Sequence, residues 1–466
     1  MFRSCAGAGR VLVDGGAEGK ITSDSMRCVR ARKRLLLSAG WVVWALGLVC
    51  VSAAAEQRIT RELCRGVTHV HMTRTAGPVQ IEALLVDLQQ ARAKVQASLA
   101  GGRVVGLRRV PDQALDLRTQ KSFPLAGVNG DFFFLEPFPS RGDPLGLFVR
   151  NGELISAPAG GGRTAFALLD DGQPFIGVPE WRAWVENEVG ERWPIKDLNA
   201  AREFDAIVLY TPTFGPSTTS DNNSTEVRLT GAKLPLTPGL AQAAVEAVYD
   251  GLGDTPLEPT TLVLSGHGKA RPFLQQLSPG QLVTIGIELN EPFARAREAV
   301  GGGPRLLRDG IVSVEWQKEG FSESFASARH PRTALGLGGA KLILVTVDGR
   351  QAGYSVGMSL YELAELLRSL GATEAVNLDG GGSTTFWEQG RVINAPADDY
   401  PRPVANALFL VNPWPCGQAA RVVLSIYPAS MLPGAELPLR FEVWDEFGNL
   451  LEKPEVQWTV TPPEAG

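Results

Sequence analysis

The pattern of apolar and polar positions is sharpest between Lys341 and Trp387. Leu342 to Val347 is a continuous apolar, largely β-branched run, which predicts a strand buried on both faces. It ends at Asp348-Gly349, and a polar, glycine-containing loop leads to Ser359-Leu360-Tyr361-Glu362, the Ser-x-x-Glu pattern of a capping box. Leu360, Leu363, Ala364, Leu367 and Leu370 then recur at helical spacing, and Gly371 stops the helix. A second short strand, Ala375 to Leu378, ends at Asp379 and runs into Gly380-Gly381-Gly382-Ser383-Thr384-Thr385.

Strand, helix and strand in this length predict a βαβ unit with parallel strands. The carboxyl ends of both strands then share one edge of the sheet, where ligands of open α/β sheets bind. Asp348 and Asp379 fall on that edge. Each alone reads as a cap on its strand, bonding loop N–H groups. Both together, one of them before a triple glycine, point to a site.

Elsewhere the pattern predicts short antiparallel strands at Gly66–Arg74, Val79–Asp87 and Lys94–Leu99, a helix over Pro111–Gln120 and a strand at Leu125–Asn129. Asn129-Gly130-Asp131 then breaks into Phe132-Phe133-Phe134, which reads equally as a pocket lining or as a turn entering the core. From Trp181 to Pro272 short strands alternate with loops rich in Gly, Pro, Ser and Thr. Beyond Gln418, strands at Arg421–Tyr427, Leu437–Val443 and Val456–Val460 read as the start of an immunoglobulin-like sandwich. The expected fold is α/β in the mixed α+β sense: a mixed sheet around the βαβ unit at 341–379, flanking antiparallel strands, then part of a sandwich.

The amino end changes the picture of where the protein works. From Met26, five basic residues precede an apolar stretch from Leu35 to Val51 and an Ala-x-Ala exit before Glu56, the layout of a secretory signal. The expected division is therefore a gene-model extension at 1–25, a signal peptide at 26–55, one large domain at 56–416 and a partial sandwich at 418–466. Without residues 1–55 the net charge falls from −5 to about −10, which argues against a nucleic-acid partner. Cys64 and Cys416 are the two cysteines outside the leader, and in an export compartment they are expected to pair.

Arg329-His330-Pro331-Arg332-Thr333-Ala334, directly ahead of the central unit, carries two guanidinium groups and an imidazole. Arg332 and His330 suit an anion, although a solvated turn explains the segment as well. His267 has no companion at ligand spacing, and neither Gly301-Gly302-Gly303-Pro304 nor Gly380–Gly382 ends in the Gly-Lys-Ser/Thr of a phosphate loop. No metal or other cofactor is expected, although aspartates on one rim can hold a divalent cation.

Taken together, Asn129-Gly130-Asp131-Phe132-Phe133, the Gly301–Pro304 turn, His330-Pro331-Arg332-Thr333-Ala334, Val347-Asp348-Gly349-Arg350, Asn377-Leu378-Asp379-Gly380-Gly381-Gly382-Ser383-Thr384 and Arg402-Pro403-Val404-Ala405-Asn406-Ala407 resemble the phosphodiester glycosidase family. The match runs from about Gly66 to Val411, and it departs from the family at Asp131, where glycine is frequent. The resemblance implies an exported hydrolase that cuts between a sugar's anomeric carbon and a phosphate oxygen, as in N-acetylglucosamine-1-phosphodiesters. It implies Asp348 and Asp379 as the reacting carboxylates, with Arg332, His330 and the N–H groups of Gly381, Gly382 and Ser383 on the phosphate. Asn129, Asp131, Thr333, Asn377, Ser383 and Thr384 would contact the substrate or orient the carboxylates. Its partner would be a carbohydrate or phosphodiester of the cell envelope, with the sandwich modules reaching the wall. Two other functions fit the residues: a non-catalytic glycan-binding envelope protein, and a glycosidase of ordinary glycan linkages.

Overall fold

The computed structural model describes residues 56–412 apart from breaks at 76, 120–121, 136–140 and 159–161, together with 11–12, 419–425, 440–445, 451 and 456–457. The elements that position the site are, in chain order, β1 (Val67–Arg74), β2 (Val79–Asp87), β3 (Phe123–Asn129), β4 (Arg332–Gly338), β5 (Lys341–Val347), α1 (Leu360–Ser369), β6 (Glu374–Asn377), β7 (Phe386–Glu388) and β8 (Asn406–Asn412).

The apolar run of β5 lies in the middle of an eight-stranded sheet ordered Glu56–Cys64, β1, β2, β5, β4, β6, Arg305–Arg308, Ile311–Val312. Every neighbouring pair in it is antiparallel. The expected mixed sheet is thereby corrected. β5 and β6 do run the same way, but β4 lies between them and is antiparallel to both. A tight turn through Gly339, at φ +61°, folds β4 onto β5, so the helical crossover must return one place further out.

Ser359 caps α1 as its sequence predicts: its hydroxyl accepts the Glu362 N–H at 3.3 Å, and the Glu362 carboxylate accepts the Ser359 N–H at 2.9 Å. The helix buries Leu360, Leu363, Ala364, Leu366 and Leu367 in a core that holds Ile343, Val345 and Val347 of β5. At roughly 1.5–3 kcal/mol for each fully buried aliphatic side chain, this face holds the crossover on the sheet. The opposite face shares a core with a five-stranded sheet ordered Arg391–Val392, β7, β3, β8, Lys94–Leu99, where Leu84, Leu344 and Leu335 meet Val128, Phe386 and Leu408.

The short strands after Trp181 close into a seven-stranded barrel spanning Trp181–Glu186 to Leu282–Leu289, with its own core of Val185, Ile195, Ile207, Leu229 and Ile285. Alternation gives strands but not closure, and the whole is mostly β rather than an α/β sheet. Ala419–Ser425 and Arg440–Asp445 pair as an antiparallel ribbon, and the Arg421 guanidinium donates to the carbonyls of Glu62 and Leu63 at 3.3 and 3.2 Å. The leader at 26–55 and Cys416 lie outside the described residues. Cys64 is a free, buried thiol, and burial pushes its pKa up to about 12. No helix among the described residues is long and apolar enough to cross a membrane.

Candidate active site

Strand direction gathers three of the expected residues at one edge. β5 and β6 end there, at Asp348 and just before Asp379, and antiparallel β4 begins there with Arg332. The turn that follows Asp379 is laid onto Pro331: the Gly381 N–H donates to the Pro331 carbonyl at 2.9 Å, and a Cβ on Gly380 would stand 2.8 Å from that oxygen. Gly381 takes φ +62°, and a 3-10 turn over Gly381–Ser383 follows. In that turn the Ser383 N–H donates to the Gly380 carbonyl at 3.2 Å. The N–H groups of Gly381 and Ser383, expected to cradle an anion, are therefore already given to carbonyls.

Asn129, Thr333 and Asn377, expected beside the sugar, are buried ties between strands. The Asn129 side chain donates to the Asp379 carbonyl at 2.7 Å and accepts from the Thr333 hydroxyl at 2.7 Å and the Thr385 N–H at 3.1 Å. Asn377 donates to the Gly303 carbonyl at 2.8 Å, leaving its own Oδ1 buried without a partner, as is the Thr384 hydroxyl.

Asp348 is also spent on structure. One carboxylate oxygen accepts from the Asn394 amide at 2.9 Å, and the other from the Ala395 N–H at 2.9 Å and the Tyr354 hydroxyl at 3.3 Å. Burial pushes its pKa up, against the pull of those hydrogen bonds. Arg332 is likewise buried. Its Nε donates to the Met358 carbonyl at 3.0 Å, and Nη2 to the Phe325 and Ala328 carbonyls at 2.7 and 2.8 Å. Three of its five N–H groups are thus committed to the fold, so at most Nη1 can serve a ligand. Burial brings its pKa down to about 10, which leaves it charged at neutral pH.

Asp379 differs from both. As a residue it is only partly buried, although its carboxyl group is largely enclosed. Burial pushes its pKa up to about 6, opposed by bonds from the Ser383 side chain and the Gly380 N–H and by the charge of Arg402. Its acidic neighbour is Asp131 rather than Asp348: the Asp379 charge is among those that raise the Asp131 pKa. Asp131 is buried, one oxygen accepting the Phe132 N–H at 2.7 Å. The other lies in a slot between Gly146 and Gly301 that leaves no room for a Cβ on either glycine. The Gly146 N–H approaches it without making a full hydrogen bond. Desolvation brings Asp131 up to about 7.

Cations that sequence reasoning did not assign surround the triple glycine. The exposed Arg350 guanidinium lies over Gly381, close enough that a Cβ there would stand 3.2 Å from it, and its Nη2 is 3.5 Å from His330 Nδ1. Arg402 covers Gly382 and pairs with Asp398 at 2.7 Å. Burial first, then the charges of Arg332 and Arg350, hold His330 below the usual histidine range, which favours the neutral imidazole. Arg350 and Arg402 stood inside motifs that carry the family resemblance, and that was their only signal. A surface depression of about 610 Å³ beside Arg305 and Glu374 lies at the far end of β6.

Residues 245–411 match the family model of the phosphodiester glycosidases. The chain carries a phosphodiester glycosidase domain. His330, Arg332, Asp348, Arg350, Asp379 and Arg402 fall inside the match, while Asn129 and Asp131 lie before it. A stretch of 156 residues is 28% identical to N-acetylglucosamine-1-phosphodiester alpha-N-acetylglucosaminidase of Mus musculus, covering 31% of this chain and 28% of that protein. The chain therefore spans less than a third of the length of that curated relative. Two solved structures share the fold. One is a hypothetical protein from Synechocystis (24% identity, TM-score 0.62, covering 74% of this chain and 62% of the other). The other is a candidate exported protein of Burkholderia pseudomallei (21%, TM-score 0.63, 77% and 97%).

Proposed function

We propose that this phosphodiester glycosidase domain hydrolyses the C1–O bond of glycosyl-1-phosphodiesters, of the N-acetylglucosamine-1-phosphodiester type, on cell-envelope or extracellular glycans. In this reading residues 26–55 direct export, 56–416 form the catalytic domain, and 418–466 begin a sandwich module toward the wall. The observation that carries it is Asp379, a carboxylate at a strand tip in an only partly buried residue, directly before a turn that the guanidinium groups of Arg350 and Arg402 cover.

Cleavage passes through an oxocarbenium-like state that a carboxylate stabilises or attacks. With a pKa of about 6, Asp379 is mostly ionised at neutral pH and suits that role. The C1–O electron pair leaves on the phosphate, whose charge Arg350 and Arg402 offset. Water supplies the oxygen of the new C1–O bond. A phosphate monoester leaves readily, so a strong general acid at the leaving oxygen is less needed than for an alkyl glycoside. Arg332, Asn129, Thr333 and Asp348 hold the frame.

The test is purified protein against sugar-1-phosphodiesters and p-nitrophenyl glycosides, with and without chelator, beside Asp379→Asn. We expect turnover of phosphodiesters, and a loss of 10²–10⁴ in kcat with the unfolding temperature retained in the variant. No turnover by the wild type, or full activity in Asp379→Asn, would sink the assignment; a binding-only protein would keep its ligand in both forms.

A further inference from the structure

The seven-stranded barrel carries an open groove of about 480 Å³ whose polar groups the fold leaves unfilled. Residues 181–183 and 193–196, on two paired strands, line it together with the loop at 203–206. Its volume falls in the range of roughly 300–1,000 Å³ that small-molecule sites occupy. None of its lining residues belongs to the cleft around Asp379, and all of them precede the stretch at 245–411 that matches the phosphodiester glycosidases.

Three aromatic side chains line the groove. Phe204 is 76% exposed, with its ring centre 4.5 Å from that of His267. Trp181 and Trp193 are half-buried and pack on the barrel core, and the Trp193 ring centre lies 6.0 Å from that of Phe273. These contacts hold the rings in place. No two of the three are in ring contact with each other, so they offer separate faces rather than one clamp. Their donors are open as well. The indole N–H of Trp184, outside the groove, is enclosed by protein, whereas those of Trp181 and Trp193 are not enclosed and have no acceptor among the described residues.

Charge at the groove is unfilled in the same way. The Asp205 carboxylate is taken: it accepts the Lys269 main-chain N–H at 2.9 Å and pairs with the Lys269 ammonium at 3.0 Å. Arg182 and Lys196 are exposed and have no carboxylate within ion-pair distance among the described residues. Glu203, also unpaired, offsets one of those two charges. The groove therefore offers two indole N–H groups, a guanidinium and an ammonium against one acceptor side chain. An occupant that suits it brings several apolar ring faces in a row, many oxygen acceptors and a negative charge.

We infer that this groove is a second carbohydrate-binding site, for a linear oligosaccharide that carries carboxylates. A pyranose ring has apolar C–H faces and oxygens around its edge, so one sugar chain meets both demands, with rings on Trp181, Trp193 and Phe204 and acid groups toward Arg182 and Lys196. A carboxylate accepts a stronger, charge-assisted hydrogen bond from those cations than a hydroxyl does. The inference goes beyond the catalytic reading and does not depend on it, since the two sites share no residue.

The experiment is calorimetric titration of the full chain with a hyaluronan tetrasaccharide, with the neutral chitotetraose and with a short peptide bearing two aspartates. It is repeated on Phe204→Ala, on Arg182→Gln/Lys196→Gln and on Asp379→Asn. The altered barrel side chains are exposed, so the unfolding temperature should hold in those variants. The wild type is expected to bind the acidic tetrasaccharide at least about threefold more tightly than chitotetraose, the scale set by two exposed ion pairs. Arg182→Gln/Lys196→Gln should make the two sugars equal, Phe204→Ala should weaken both at least about threefold, and Asp379→Asn should bind as the wild type does. No binding of the acidic tetrasaccharide, a preference that survives the double variant, or a peptide bound as tightly as the sugar would overturn the inference. Turnover of a small sugar-1-phosphodiester by the same proteins keeps the two readings apart. Loss of oligosaccharide binding with turnover intact refutes this site alone, and binding without turnover refutes only the catalytic reading.

Discussion

Asp131→Asn should make the protein more stable at alkaline pH and not at acid pH. Asp131 is buried, one oxygen accepting the Phe132 N–H and the other wedged between Gly146 and Gly301. Its pKa is about 7 in the fold against 3.8 unperturbed. The folded state therefore holds this proton more tightly than the unfolded chain. The contribution to stability is fully present below about pH 4 and is lost as the pH rises through 7. Three units at 1.36 kcal/mol each set a ceiling of about 4 kcal/mol, which relaxation of the slot will lower. Asparagine keeps the acceptor for Phe132 and cannot ionise, although its amide beside the Gly146 N–H costs about 1–3 kcal/mol at every pH. Denaturant midpoints of wild type and variant at pH 4.5 and 8.5 measure the difference. Asp197 and Glu298 are also raised to about 7 by burial, and His69, between Glu82 and Glu388, to about 9. All three push stability the same way with pH, but they are common to both proteins and drop out of the comparison. A stability difference that stays constant between the two pH values would refute the argument.

Two further outcomes follow from the site. Asp348→Ala strands the Ala395 N–H and one N–H of the Asn394 amide and leaves the exposed Tyr354 hydroxyl to water, so at about 1 kcal/mol or more for each stranded group it should lower stability by about 2 kcal/mol. An Asp348→Ala protein as stable as wild type would mean that those bonds do not hold the loop. On a phosphodiester substrate, kcat/KM should rise with pH through about 6 as Asp379 ionises and should flatten above it. An unchanged profile between pH 4.5 and 7 would show that another group sets the rate.

The central strand, helix and strand were legible because their signals are local: an unbroken apolar run, a capping box and helical spacing need no knowledge of the rest of the chain. The place of β4 between β5 and β6 was not, since strand order is set by which edges pair after collapse, and no side chain in Arg332–Gly338 announces it. The same limit separates the two aspartates. Asp348 and Asp379 each end a strand before glycine, and in sequence they look alike. What distinguishes them stands elsewhere: Asn394 and Ala395, more than 40 residues past Asp348, each take one of its oxygens, while Asp379 as a residue keeps part of its surface open. Arg332 and Arg350 divide in the same way. The first lies among carbonyls that take most of its N–H groups, and the second lies outside them with its charge over a glycine that has no side chain to shield it. Residue type and spacing gave the rim and its chemistry. Which of the rim's residues face a ligand depends on which donors and acceptors the fold has left unfilled, and that is a property of contacts across the sequence.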